Sequence, residues 1–272
     1  MTTDGIQTDF SDRMSYGDYL KLDTLLSAQQ PLSAEHDELL FIVIHQVQEL
    51  WMTLLNRELD TAMRHIRADE LGPSFKCLSR VSRVQMQLIQ AWDVLSTMTP
   101  ADYLRFRPVL GSSSGFQSWQ YRLIEFKLGA KNALMLKPHR HRADIFARLQ
   151  AAFESPSIYD EALRLMARRG LAVPEDVLNR DVTKPHVADP RIEALWQIVY
   201  RESETHFDLY EMAEELVDVE DSFQQWRFRH MKTVERIIGM RQGTGGSAGV
   251  AYLRQALERS FFPELWSVRT KL

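Results

Sequence analysis

Between Glu35 and Arg67 the apolar residues include Leu39, Leu40, Val43, Val47, Leu50, Trp51, Leu54 and Met63. These follow the i, i+3, i+4, i+7 rhythm of one helix face. Ser33 is the expected N-cap, with Glu35, Asp37 and Glu38 near the positive helix end. A second helix is predicted from about Ser74 to Thr97, with Leu78, Val81, Val84, Leu88, Trp92 and Leu95 on one face. Thr99 and Pro100 then read as N-cap and first residue of a short helix through Tyr103. A polar loop, Gly111 to Gly115, precedes a helix from about Phe116 to Leu128 that Gly129 closes. Shorter helices follow near 142–154 and 157–169, the latter ending at Gly170. Val173 to Pro190 holds three prolines and reads as a long connection. Pro190 opens a helical stretch to about Ile238, a length that fits one helix or two. A last helix covers about Gly249 to Arg259 and stops before Phe261-Phe262-Pro263. No alternating β-branched run and no internal repeat occurs. The expected fold is all-α, a helical bundle with long core helices. Residues 16–272 form one domain after a flexible N-terminal segment, 1–15.

Composition narrows the function. The 272 residues are 44% hydrophobic, enough for one sizeable core. The net charge of -4 argues against nucleic acid as a partner. The one basic run, Lys137 to Arg148 with His139-Arg140-His141-Arg142, reads as a solvated loop. Cys77 is the single cysteine and falls among core positions, so no intrachain disulfide is possible and a reducing compartment is expected. The N-terminus lacks the basic start and apolar stretch of a signal peptide. The longest strongly apolar run, Leu39 to Ile44, is far short of the ~20 residues that span a bilayer. The expectation is a cytoplasmic protein with no membrane partner.

The residues that can carry chemistry lie on these helices and their loops. Phe223, Trp226, His230, Val234 and Ile237 share one helical stripe. A neutral imidazole in such a setting can ligate a metal while its neighbours seal an apolar pocket. Haem iron needs one axial imidazole and a flat hydrophobic slot between helices. Phe41 and His45 likewise share a face of the first long helix. Each histidine taken alone is more often a core residue than a ligand. Tyr103 and Arg107 are four apart, and an arginine fork suits a carboxylate, although Arg105 stands next door. The loops 111–115 and 243–249 expose backbone N–H groups but match no phosphate-loop pattern. The Glu-x-x-His pairs of di-iron bundles, the HExxH zinc motif and the GxSxG elbow are absent from the sequence.

Taken together, the motifs are Tyr16-x-x-Tyr19-Leu20, LLSAQQPLS, FIVIHQ, Tyr103-x-x-x-Arg107, SGFQSWQYRLIEF, WRFRHM and GTGGSAGV. In this order and spacing, from about Tyr16 to Phe262, the chain resembles the bacterial tryptophan 2,3-dioxygenases, a family of haem enzymes. The resemblance implies an all-helical homotetramer with one haem b per subunit, ferrous when active. It implies insertion of both atoms of O2 across C2–C3 of the indole of L-tryptophan, giving N-formyl-L-kynurenine. By motif position His230 would be the axial haem ligand and His45 the catalytic distal histidine beside the indole N–H. Phe41 would pack on the indole. Arg107 would bind the substrate carboxylate, helped by Tyr103 and Thr244, while Ser114 and Gly115 would line the pocket. Tyr16, Tyr19 and Leu20 would reach into a neighbouring subunit's site. The loop departs from the family's pattern at Ser112, where relatives often carry proline. A haem-binding sensor or carrier without turnover would also need His230, but not Tyr103, Arg107 and Thr244 together.

Overall fold

The computed structural model describes residues 6–246 and 248–272. The first five residues of the N-terminal segment, and Ser247 of the glycine-rich loop, lie outside the described residues. Every regular element among those described is helical. Two short helices, α1 (Tyr16–Leu20) and α2 (Leu22–Leu26), precede the first long one, α3 (His36–Arg67). A tight turn through Asp69, which holds a left-handed φ of 61°, leads into α4 (Leu71–Leu95). An aspartate tolerates that conformation better than most side chains, and Arg169 pins its carboxylate. Then come α5 (Pro100–Phe106), α6 (Trp119–Leu128), α7 (Ala143–Glu154), α8 (Ile158–Arg168) and α9 (Glu175–Leu178). The chain finishes with α10 (Pro190–Arg201), α11 (Phe207–Ile238), α12 (Val250–Leu257) and α13 (Pro263–Ser267).

The spine is α3, α4 and α11, packed side by side with α4 in the middle. At about 1.5 Å rise per residue, α3 and α11 are each about 48 Å long. Their apolar stripes meet in a core where Leu55, Leu59, Ile66, Leu78, Val81, Leu216 and Val219 are fully buried. By length and composition α3 is apolar enough to cross a membrane. It also buries Glu38, Gln48, Asn56 and Glu58. These polar groups are matched within the bundle: Gln48 Nε2 donates to Leu88 O at 2.9 Å, and Arg80 donates to Glu58 at 2.8 Å. Buried polar groups matched in this way mark a core helix of the bundle. Cys77 is buried as expected.

Several expected boundaries shift, each for a local reason. Ser33 does not cap α3. Glu38 reaches back from the first turn and accepts the backbone N–H of Leu32 and of Ser33, both at 2.7 Å, so Glu35 takes the N-cap position. Helix α4 starts at Leu71 rather than Ser74, because Pro73 falls in the first turn where no backbone N–H is required. The stretch after Pro190 is two helices. The chain leaves helical geometry from Glu202 to His206, where Ser203 and Thr205 are weak helix formers. The helix expected from Phe116 begins as a 3-10 turn, Gly115–Gln117, and turns α-helical after Ser118, whose hydroxyl caps Tyr121 N. In the basic run Arg140, His141 and Arg142 are solvated, but His139 is buried.

The C-terminal elements are fastened to the spine by buried charges. Arg122, Glu125 and Arg227 are each 3% exposed. Glu125 binds Arg122 at 2.6 Å and Arg227 at 3.2 Å. Arg227 also donates to Ala256 O at 3.0 Å and Arg259 O at 3.3 Å. Seven residues earlier on α11, Glu220 accepts the backbone N–H groups of Phe261 and Phe262.

Candidate functional site

The site is built on the spine. Helix α3 carries Phe41 and His45 on successive turns, with ring centroids 4.1 Å apart. The imidazole Nδ1 lies 2.7 Å from the Phe41 carbonyl, so Nδ1 carries the proton and Nε2 is left as an acceptor. Burial pushes the His45 pKa down, only partly offset by that hydrogen bond. At neutral pH the ring is an uncharged base with one free lone pair.

His230 lies two turns from the C-terminal end of α11, across α4 from His45. Trp92 of α4 stacks on it with centroids 4.6 Å apart and planes 16° from parallel, and Trp226 leans on it at 5.4 Å. Burial, and secondarily the nearness of His45, hold the His230 pKa down to about 4. The ring makes no hydrogen bond among the described residues. Trp92 also meets His45 edge-on at 6.1 Å, so one indole touches both imidazoles. Phe41 is in ring contact with Phe106 at 5.6 Å and Tyr103 at 6.1 Å, which extends the aromatic wall onto α5.

Helix α5 starts with the expected cap: Thr99 and Asp102 close a reciprocal capping box, with Pro100 in the first position. It carries Tyr103, 7% exposed, whose hydroxyl pKa burial raises and the neighbouring Arg107 charge pulls back. Arg107 opens a 3-10 turn, Arg107–Leu110. Of the two arginines, Arg105 faces Glu35 at the surface, 3.8 Å away, whereas Arg107 reaches across to donate to Gln242 O at 2.7 Å. Gln242 begins the glycine-rich loop.

The two polar loops lie directly against each other. Thr244 Oγ1 donates to the Ser113 carbonyl. A Cβ at Gly245 would sit 2.6 Å from Ser114 Cβ, so only glycine permits this approach. Gly249 has a left-handed φ of 58°, and a Cβ there would lie 2.6 Å from Arg241 O. Ser114 caps the next 3-10 turn, its Oγ accepting Phe116 N at 3.3 Å, and Gly115 opens that turn.

The structure thus brings Phe41, His45, Tyr103 and His230 together through ring contacts. It brings Arg107, Ser114, Gly115 and Thr244 together at the loop pair, and Tyr103 and Arg107 join the two groups. Tyr16, Tyr19 and Leu20 are placed apart from both, on α1, at 76%, 74% and 40% exposure. Trp92 and Gln242 belong to the site without having been singled out for it in the sequence, whereas Trp226 stands beside His230 as its place on the shared stripe implies. Trp92 reads as one more core position of α4.

A haem group fits these residues. The His230 imidazole is neutral at physiological pH, flanked by Trp92 and Trp226, and makes no hydrogen bond among the described residues that would occupy it. Beside it, Trp92 Nε1 is a buried donor without a partner. No group of three or more His, Cys, Asp or Glu side chains is placed to hold a metal ion among the described residues. A metal carried by a cofactor and held by one imidazole is the arrangement this donor set suits.

Comparison with known proteins identifies the family. A family model described as tryptophan 2,3-dioxygenase matches residues 1–198 and 187–272. A tryptophan 2,3-dioxygenase of a Polaromonas species is 59% identical over 98% of this chain and 90% of that relative. The enzyme of that name from Paraburkholderia phytofirmans is 60% identical over 98% of the chain and 87% of its own length. That from Exiguobacterium sibiricum is 60% identical over 99% of the chain and 96% of its own length. With identity at this level from end to end, and two imidazoles set against one indole of an all-α bundle, the chain belongs to the tryptophan 2,3-dioxygenase family.

Proposed function

We propose that the chain cleaves the C2–C3 bond of the indole of L-tryptophan with O2, giving N-formyl-L-kynurenine, on a haem b held by His230. The dioxygenase activity opens tryptophan degradation by the kynurenine route. The observation that carries the assignment of roles is the pairing of two neutral imidazoles against Trp92 of the helix between them, one without a hydrogen-bond partner among the described residues and one with a free acceptor nitrogen. Bound haem supplies the ferrous iron that lets O2 react with the closed-shell indole.

The protein's share of the work follows from its side chains. His230 holds the iron through its neutral ring. His45 offers Nε2 to the indole N–H, which fixes the ring's orientation, and Phe41 packs on the indole face. The Arg107 fork takes the substrate carboxylate, with Tyr103 beside it. Thr244, Ser114 and Gly115 close over the amino-acid end. Two polar anchors on an otherwise apolar ligand select tryptophan through the groups an analogue would leave unpaired. Tyr16, Tyr19 and Leu20 complete the site of a neighbouring copy in a homotetramer; their exposure, and that of Ile6, Phe10 and Met14, supports this reading. Residues 16–272 act as one catalytic domain, in the cytoplasm.

The test is spectroscopic first and catalytic second. The purified protein should show a haem band and, once reduced and given L-tryptophan and air, form N-formylkynurenine. A His230→Ala variant should lose the haem band. Normal haem content in that variant would refute the ligand assignment, and haem without product would indicate a sensor.

A further inference from the structure

We propose that Trp92 is a haem-site positioning residue whose indole N–H is a hydrogen-bond donor reserved for a carboxylate of the ligand that binds between His45 and His230. This rests on the haem reading above and extends it to a residue with no assigned role.

Three observations lead there. Trp92 is 4% exposed, and its Nε1 is buried with no hydrogen-bond partner among the described residues. The other buried tryptophans are satisfied within the chain: Trp226 Nε1 donates to Gln48 Oε1 at 3.3 Å, and Trp196 Nε1 donates to Tyr159 Oη at 2.9 Å. The indole of Trp92 is also the one ring that stacks on His230 and meets His45 edge-on.

An indole has a single donor at a fixed place and no rotor that could redirect it. Leaving that donor dry and unpaired destabilises the fold, whereas phenylalanine would make the same stack without the penalty. A tryptophan here therefore implies an acceptor from outside the chain. Haem is an apolar plate whose hydrogen-bond acceptors are its carboxylates, and the acceptor of L-tryptophan is likewise its carboxylate. The shared chemistry is a carboxylate receiving the Trp92 N–H.

Trp92→Phe removes the donor and keeps an aromatic ring against His230. The apoprotein's melting temperature confirms that the variant folds. The readouts are transfer of haem to excess apomyoglobin and spectral titration of the ferric enzyme with L-tryptophan and with tryptamine. If the acceptor belongs to haem, the variant should release haem on the order of tenfold faster or more. Wild-type protein reconstituted with haem dimethyl ester should then lose its cofactor as fast as the variant does. If the acceptor belongs to the substrate, haem release stays the same while L-tryptophan binds more weakly and tryptamine does not. Unchanged haem release and unchanged tryptophan affinity would overturn the proposal. So would a Trp92→Phe effect as large on release of haem dimethyl ester as on release of haem, or as large on tryptamine affinity as on L-tryptophan affinity, which would mean packing alone. If wild-type protein takes up no haem, the haem reading fails before this inference is reached.

Discussion

Gly245→Ala is the sharpest probe of the loop pair. The added methyl carbon would lie 2.6 Å from Ser114 Cβ and 3.0 Å from Ser114 Oγ. Carbon atoms in contact rest at about 3.5–4.0 Å, so one loop must retreat by about 1 Å. Ser114 cannot yield by rotating, because its Cβ is fixed to a backbone that caps Phe116. The retreat therefore strains the neighbouring Thr244–Ser113 hydrogen bond and the Arg107 contact with Gln242 O. A misplacement of about 1 Å at groups that orient a substrate costs about 100-fold in rate. Expected is a fall of that size in kcat/KM for L-tryptophan, about 2.7 kcal/mol of transition-state stabilisation. Haem content should stay at the wild-type level, because His230 lies on a helix the loops do not distort. Ser114→Gly in the same chain removes the opposing carbon, so the double variant should turn over faster than Gly245→Ala alone, a coupling that independent sites do not show. A single variant within threefold of wild type, or a double variant slower than the single, would refute the packing argument.

Arg107→Ala should weaken L-tryptophan binding by about 10- to 150-fold, the worth of a charge-assisted hydrogen bond of about 1.5–3 kcal/mol; spectral titration should show tryptamine, which lacks the carboxylate, unaffected. In the haem-free protein, stability measured by urea unfolding should fall as the pH drops from 6.5 toward 4. Burial holds His230 at about 4 against an ordinary 6.5, so the unfolded chain binds a proton the folded one refuses; His230 contributes a slope of up to about 1.4 kcal/mol per pH unit in that window and none above it. His230→Phe should flatten that slope, and an unchanged slope would contradict the neutral imidazole. Arg227→Met should cost about 3–5 kcal/mol of stability by stripping Glu125 of a buried partner, and a urea-unfolding loss under 1 kcal/mol would show the network to be dispensable.

Much of the fold was legible because the long helices are amphipathic over many turns. The stripes of α3 and α4 repeat often enough for the 3.6 period to stand out, and Thr99-Pro100 announces α5 through a cap that the structure reproduces. The break between α10 and α11 was not legible. It falls at Glu202 to His206 without glycine or proline, and the weak helix propensity of Ser203 and Thr205 is too small a signal to mark a break. Helices α1 and α2 escaped for the opposite reason. They bury no residue within the chain, and a helix without a buried face prints no stripe. Ser33 misled because local propensity cannot foresee that Glu38 will claim the backbone it precedes. At the site, histidine and arginine declare themselves by residue type. Trp92 does not, because a core indole and a ligand-facing indole leave the same mark on an apolar stripe.

The arrangement of anchors separates the task of holding iron from the task of holding an amino acid. Arg227 stands three residues before His230 and binds the carbonyls of Ala256 and Arg259, at and beyond the end of α12. Glu220, two turns earlier, holds the backbone of Phe261 and Phe262. The helix that presents the imidazole therefore also fixes the segment to which the glycine-rich loop returns. Arg107 secures the loop's beginning through Gln242 O. Thr244 sits in a short span held at both ends, and Gly245 and Gly249 give that span the backbone freedom to meet Ser114 and Arg241 closely. Movement needed to admit and release substrate is then confined to a few loop residues with little buried surface, the low-stability end of the structure. His230 and His45, on long helices of the spine, keep their separation while the loop moves. Substitutions in the loop should accordingly change tryptophan affinity and turnover without changing haem retention, whereas substitutions in the Arg122–Glu125–Arg227 network should change both together.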